Sequence, residues 1–139
     1  TTGPRTKEFE RAFGAYVVAP GGTSLMLNSC TAGLHVALVA LGVGPGDEVI
    51  VPTLTFAATA NVVEHVGARP VLVDVLPDTL CIDPAAVEAA VTPRTKAVIP
   101  VHYAGQAADL DAIFAVAERH GLHVVEDAAH AVPTTYRGR

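Results

Sequence analysis

This sequence predicts an α/β domain in three layers, a mainly parallel sheet with helices on both faces. Three observations carry that prediction. Short apolar runs alternate with segments of helical period along the whole chain. The runs are continuously apolar rather than alternating, as strands covered on both faces are. Glycine or proline marks most of the junctions between them. With 139 residues, half of them hydrophobic, one domain can bury a sizeable core.

Taken in order, Glu8 to Val18 reads as a helix with Phe9, Ala12, Phe13 and Tyr16 on one face, broken by Pro20-Gly21-Gly22. Leu25-Met26-Leu27 reads as a short buried strand. A helix from Thr31 to Leu41 follows, with Leu34, Ala37, Leu38 and Leu41 on one side and Gly42 as its stop. Val49-Ile50-Val51 is the next strand, ended by Pro52, and Phe56 to Val66 the next helix, stopped by Gly67. After the strand Val71-Leu72-Val73, Asp83-Pro84 supplies an N-cap and a proline at the first helical position for Ala85 to Val91. Ala97-Val98-Ile99 is a strand. Asp109 caps a helix whose face is Leu110, Ile113, Phe114 and Ala117, and Gly121 ends it. The strand His123-Val124-Val125 then delivers Glu126-Asp127-Ala128-Ala129-His130-Ala131. The runs ending near Asn28, Pro52, Asp74, Val101 and Asp127 are expected to lie parallel in one sheet.

A net charge of -5 without a basic run argues against nucleic acid as a partner. No apolar segment approaches the roughly 20 residues of a membrane helix, and no signal-peptide pattern opens the chain. Cys30 and Cys81 lack CxxC spacing and read as reduced, buried thiols of a cytoplasmic protein. The six histidines offer no ligand-spaced pair, so no metal site is expected. The start at Thr1 without a methionine, and the end without a terminal helix, suggest a piece of a longer protein.

Ligands of open parallel sheets bind at the carboxyl ends of the strands, and three candidate features fall there. Asn28-Ser29-Cys30-Thr31-Ala32-Gly33 runs from a strand into a helix, where free N–H groups suit a phosphate; ordinary Ser/Thr capping is the competing use. Phe56 is either core or an aromatic platform under a flat ring. Asp127 is either the cap of a following helix or a carboxylate aimed at a cationic ring nitrogen. Gly42-Val43-Gly44-Pro45-Gly46 follows a helix and precedes a strand, the reverse of the dinucleotide fingerprint, and reads as a tight turn. A phosphate cradle, an aromatic face and a carboxylate at one sheet edge match the needs of pyridoxal phosphate, whose protonated ring acts as an electron sink.

The sequence also resembles the sugar-nucleotide aminotransferases of the DegT/StrS group. The residues that carry the resemblance are Gly46-Asp47-Glu48-Val49-Ile50-Val51-Pro52, Thr55-Phe56, Gly67-Ala68-Arg69-Pro70, Thr92-Pro93-Arg94-Thr95-Lys96-Ala97, Pro100-Val101-His102-Tyr103-Ala104-Gly105 and Glu126 to Ala131. The resemblance implies the aspartate aminotransferase-like (type I) fold, with residues 1–139 forming part of its large, pyridoxal phosphate-binding domain. It implies amino transfer, with glutamate as the expected donor, to a keto-sugar nucleotide in a cytoplasmic homodimer. It places Thr31 and Ala32 on the phosphate, Phe56 on the ring face, Asp127 on the pyridine nitrogen and His130 near the phenolic oxygen. His102 belongs to the signature in a supporting role.

Two departures stand out. Pro133 occupies a position where the family usually has glycine. The family's Schiff-base lysine is expected downstream of Arg139, since neither Lys7 nor Lys96 falls at a strand's carboxyl end beside Asp127. The competing readings are a sugar dehydratase of the same fold, with histidine in place of that lysine, and a non-enzymatic truncated α/β module.

Overall fold

The computed structural model describes residues 3–17 and 22–138. Its elements are α1 (Pro4–Val17), α2 (Cys30–Ala40), β1 (Glu48–Pro52), α3 (Ala58–His65), β2 (Arg69–Val73), α4 (Pro84–Ala90), β3 (Thr95–Val98), a 3-10 turn (Tyr103–Gly105), α5 (Leu110–His120) and β4 (His123–Val124). The strands form one parallel sheet in the order β2-β1-β3-β4.

β1 is buried along its whole length, and its pleat sends successive side chains into different cores. Val49 and Val51 pack with Ala97, Ile99, Leu34 and Leu38 of α2, and Val62 and Val63 of α3. Ile50 packs with Val73, Val98, Val87 of α4, and Ile113 and Val116 of α5. Helices therefore cover both faces, as the apolar runs predict.

The caps are local chemistry. Asp83 accepts from the Ala85 N–H with Pro84 at the first helical position, and Asp109 accepts from the Ala112 N–H. Gly121 closes α5 at φ +66°, a left-handed conformation that costs a residue without Cβ little.

The helices that leave β1 and β3 diverge. From β1 the chain passes through α3 on one face to β2 on one side. From β3 it passes through α5 on the other face to β4 on the opposite side. This reversal opens a crevice at the carboxyl ends of β1 and β3, the place where such sheets take ligands.

Several expectations need correction. Leu25-Met26-Leu27 is neither a strand nor buried: Leu25 is 64% exposed, and the Met26 N–H donates to Glu10 Oε1 instead of to a neighbouring strand. Its apolarity lacks the partner edge that would turn it into a strand, so four of the five expected runs form the sheet. The first helix exists from Pro4 to Val17, with Val18 and the Pro20-Gly21 break outside the described residues. Its apolar face is largely uncovered: Tyr16 is 69% exposed, and Phe9 stacks on Phe13 at 5.6 Å rather than on the sheet.

The helix expected from Phe56 begins at Ala58, because Thr53 to Ala57 turn away from β1 at the crevice. In α5 the buried face is Leu110, Ile113, Val116 and Ala117. Phe114 lies outside that stripe. Cys30 is exposed, since it opens α2 at the open end of the sheet, whereas Cys81 is buried.

Candidate functional site

The crevice is shaped by three loops. The β1–α3 loop supplies Thr55 and Phe56, the segment after β3 supplies Val101, His102 and Tyr103, and the segment after β4 supplies Asp127, Ala129 and His130. Together they line a cleft of about 60 Å³. Phe56, 80% exposed, is thereby removed from the core and left with its ring free at the cleft wall.

Asp127 is placed by its own backbone. Its N–H donates to the Pro100 carbonyl at 2.9 Å and its carbonyl accepts from the His102 N–H at 3.1 Å. These bonds extend the parallel pairing of β3 and β4 by one bridge, Val101 to Asp127. The side chain is 6% exposed. It accepts from Thr59 Oγ1 at 2.8 Å on Oδ2, and on Oδ1 from the Ala129 N–H at 3.3 Å and Cys30 Sγ at 3.6 Å. No helix follows Asp127 among the described residues, so its local bond to Ala129 N–H closes a turn rather than capping a helix.

All these partners are neutral donors. Among the described residues no lysine, arginine or histidine forms an ion pair with Asp127. A buried carboxylate with hydrogen bonds but no counter-charge is costly alone and is a ready partner for a cation. The same carboxylate, together with partial burial, pushes the Cys30 thiol up from its ordinary range, burial being the larger cause.

His102 is buried next to it. Nδ1 accepts from the Ala108 N–H at 3.2 Å, so Nε2 carries the proton and donates to Glu126 Oε2 at 2.8 Å. The tautomer is assigned from these bonds. His102 thus pins the Glu126-Asp127 turn to the segment before α5.

Of the residues singled out in the sequence, the structure brings Phe56, Asp127 and His130 to one cleft. Thr31 and Ala32 do not line it. They sit in the first turn of α2, where Ser29 is the N-cap and its Oγ accepts from the Ala32 N–H at 3.1 Å. The link between α2 and the cleft is Cys30, through Asp127. An open groove of about 650 Å³ adjoins the cleft, lined among others by Ser29, Cys30, Gly33, Glu126 and Ala129, so the helix start and the Asp127 turn share one surface.

Lys96 lies elsewhere. Its Nζ donates to the Gly42 carbonyl at 2.9 Å, at the start of β3. Among the described residues no three His, Cys, Asp or Glu side chains gather as a metal site, and no helix is long and apolar enough to cross a membrane.

Sequence reasoning missed Thr59. The signal was available: Thr59, Val62 and Val63 share the inward face of α3 at helical spacing, which buries a hydroxyl among valines.

The parallel sheet and its two helical layers define an α/β fold, and comparison with known proteins supplies the family. The chain belongs to the DegT/DnrJ/EryC1/StrS aminotransferase family, whose model matches residues 1–139. It is 58% identical over 137 residues to the spore coat polysaccharide biosynthesis protein SpsC of Bacillus subtilis (strain 168), covering 99% of this chain and 35% of SpsC.

Among solved structures, DesV of S. venezuelae superposes with a TM-score of 0.95 at 48% identity, covering 99% of this chain and 36% of DesV. Spr1654 of Streptococcus pneumoniae, assigned as a sugar aminotransferase and solved in a PMP form, superposes at 0.94 with 43% identity, covering 99% of this chain and 38% of that one. Spr1654 has also been solved in a PLP form. The chain spans little more than a third of the length of these relatives.

Proposed function

We infer that this chain is part of the cofactor-binding large domain of a pyridoxal phosphate-dependent sugar aminotransferase. The observation that carries the reading is Asp127, a buried carboxylate with three neutral donors and no cation among the described residues, facing a cleft with an exposed aromatic ring. A protonated pyridine nitrogen is the cation such a site fits, and Phe56 offers a face for its ring.

When bound, pyridoxal phosphate supplies a ring that accepts electrons from the carbon bearing the transferred amino group. Asp127 would hold the ring nitrogen protonated, which is the condition for that acceptance. Phe56 would fix the ring plane and exclude water from one side. His130 would border the ring near its phenolic oxygen. Thr31 and Ala32, with the partial positive charge at the start of α2, would take the phosphate. At Ala32 the phosphate would have to share or displace the Ser29 hydroxyl that its N–H now holds.

The finer parts of the reading rest on the family resemblance. They are a keto-sugar nucleotide as acceptor, glutamate as donor, a homodimer and a cytoplasmic location. Within the group, Thr1-Thr2-Gly3-Pro4, His102-Tyr103-Ala104-Gly105 and His130 look most like the UDP-4-amino-4-deoxy-arabinose aminotransferase.

The test is binding of pyridoxal phosphate and of pyridoxamine phosphate to the full-length protein, followed by absorbance. Saturable binding of both, and amino transfer from glutamate to a keto-sugar nucleotide, is the expected result. Binding and transfer unaffected by loss of the Asp127 carboxylate would sink the assignment.

A further inference from the structure

Thr59 takes no part in the roles above, yet it is fully buried beside Asp127, and the carboxylate dictates where its proton points. A carboxylate only accepts, so Thr59 Oγ1 donates to Asp127 Oδ2 at 2.8 Å. That spends the single proton of Thr59. The 2.6 Å contact between Thr55 Oγ1 and Thr59 Oγ1 is then a bond in which Thr55 donates. The chain runs in one direction, Thr55 to Thr59 to Asp127, and each bond polarises the next.

Thr55 lines the cleft immediately before Phe56. The two hydroxyls therefore connect the loop that carries the exposed ring to the carboxylate across the cleft. Asp127 Oδ1, with its longer contacts to Ala129 N–H and Cys30 Sγ, retains acceptor capacity for an incoming cation.

We propose that Thr59 is a positioning residue of the cofactor site: with Thr55 behind it, it sets the orientation of the Asp127 carboxylate and locks the Phe56 loop to it. The proposal rests on the reading of Asp127 as the partner of a pyridine nitrogen.

The experiment measures the Kd of pyridoxamine phosphate, which has no aldehyde to bond to a lysine, in the full-length protein. The variants are Thr59→Val, Thr59→Ser and Thr55→Val, each also made in an Asp127→Asn background. Thr59→Val should weaken binding about tenfold, the size of one lost hydrogen bond to a charged group, and Thr59→Ser should restore it. Thr55→Val should weaken binding about threefold.

In the Asp127→Asn background these losses should shrink to less than twofold, because a residue acting through the carboxylate has nothing left to position. Thermal unfolding of every variant separates this from loss of fold. If Thr59→Val does not fold, Thr55→Val, at a half-buried loop position, decides alone. Equal losses with and without the Asp127 carboxylate, or failure of serine to rescue a folded protein, would overturn the proposal. If Asp127→Asn by itself leaves pyridoxamine phosphate binding unchanged, the reading of the site fails instead.

Discussion

Two buried carboxylates stand at opposite ends of the same sheet, and their surroundings differ in one respect. Glu48, at the amino end of β1, is 2% exposed and surrounded by cations. Arg94 reaches its Oε1 at 2.6 Å, Arg69 lies at 3.4 Å, and the Thr92 hydroxyl donates to Oε2 at 2.6 Å. The Thr92 hydrogen bond first, then the Arg94 guanidinium, holds its carboxyl below the usual glutamate range. Asp127, at the carboxyl end, has hydroxyl, amide and thiol donors and no cation among the described residues. The charge of Glu48 is already matched within the fold, and it ties β1 to the segments entering β2 and β3. The charge of Asp127 has no such match among the described residues. Burial alone does not separate the two carboxylates; the missing counter-charge does, and the proposed role of Asp127 rests on it.

The largest effect that tests this contrast is on catalysis. In the full-length protein, Asp127→Asn should keep cofactor binding, more weakly, while lowering kcat by roughly 100-fold or more in steady-state assays, as loss of a preorganised charge does. Its thermal midpoint without cofactor should not fall, because an uncompensated buried charge has been removed. A clear drop would mean that Asp127 is structural like Glu48, and the comparison would collapse.

Glu48→Gln should do the opposite. It removes the buried charge to which the Thr92 hydroxyl and the Arg94 guanidinium donate, so the unfolding midpoint should drop by a few degrees, read by circular dichroism, with cofactor affinity unchanged. A pH series sharpens the point. The folded pKa of Glu48 lies below its unfolded value. Its contribution is therefore complete above the ordinary glutamate range and is lost as pH falls through the lowered folded value. Glu88, lowered by His120 and then Arg119, adds to the same acid limb. Stability measured against pH should lose part of that acid-side slope in Glu48→Gln.

The smallest effect separates binding from folding at one residue. Phe56→Ala should change stability by less than about 0.5 kcal/mol, since the ring is exposed. It should weaken pyridoxamine phosphate binding by about threefold to tenfold through lost stacking. An equal loss of stability would return Phe56 to the core.

The sequence by itself determined the elements whose causes are local. Continuous apolar runs marked the middle of β1, the ends of β2 and β3 and the whole of β4, and Asp83-Pro84, Asp109 and Gly121 set helix ends through bonds to near neighbours. It also placed Phe56, Asp127 and His130 at strand ends, which is why they share a cleft. Tertiary structure decided what depends on partners distant in the chain. Leu25-Met26-Leu27 is apolar enough for a strand, but a strand exists only against a neighbouring edge. Phe9, Tyr16 and Phe114 are hydrophobic, but burial needs a surface opposite them. Thr59 became part of the site because α3 packs it 2.8 Å from a carboxylate 68 residues away. The absence of a cation at Asp127 among the described residues, on which its proposed role rests, depends on the side chains around it, and only the folded chain fixes which those are.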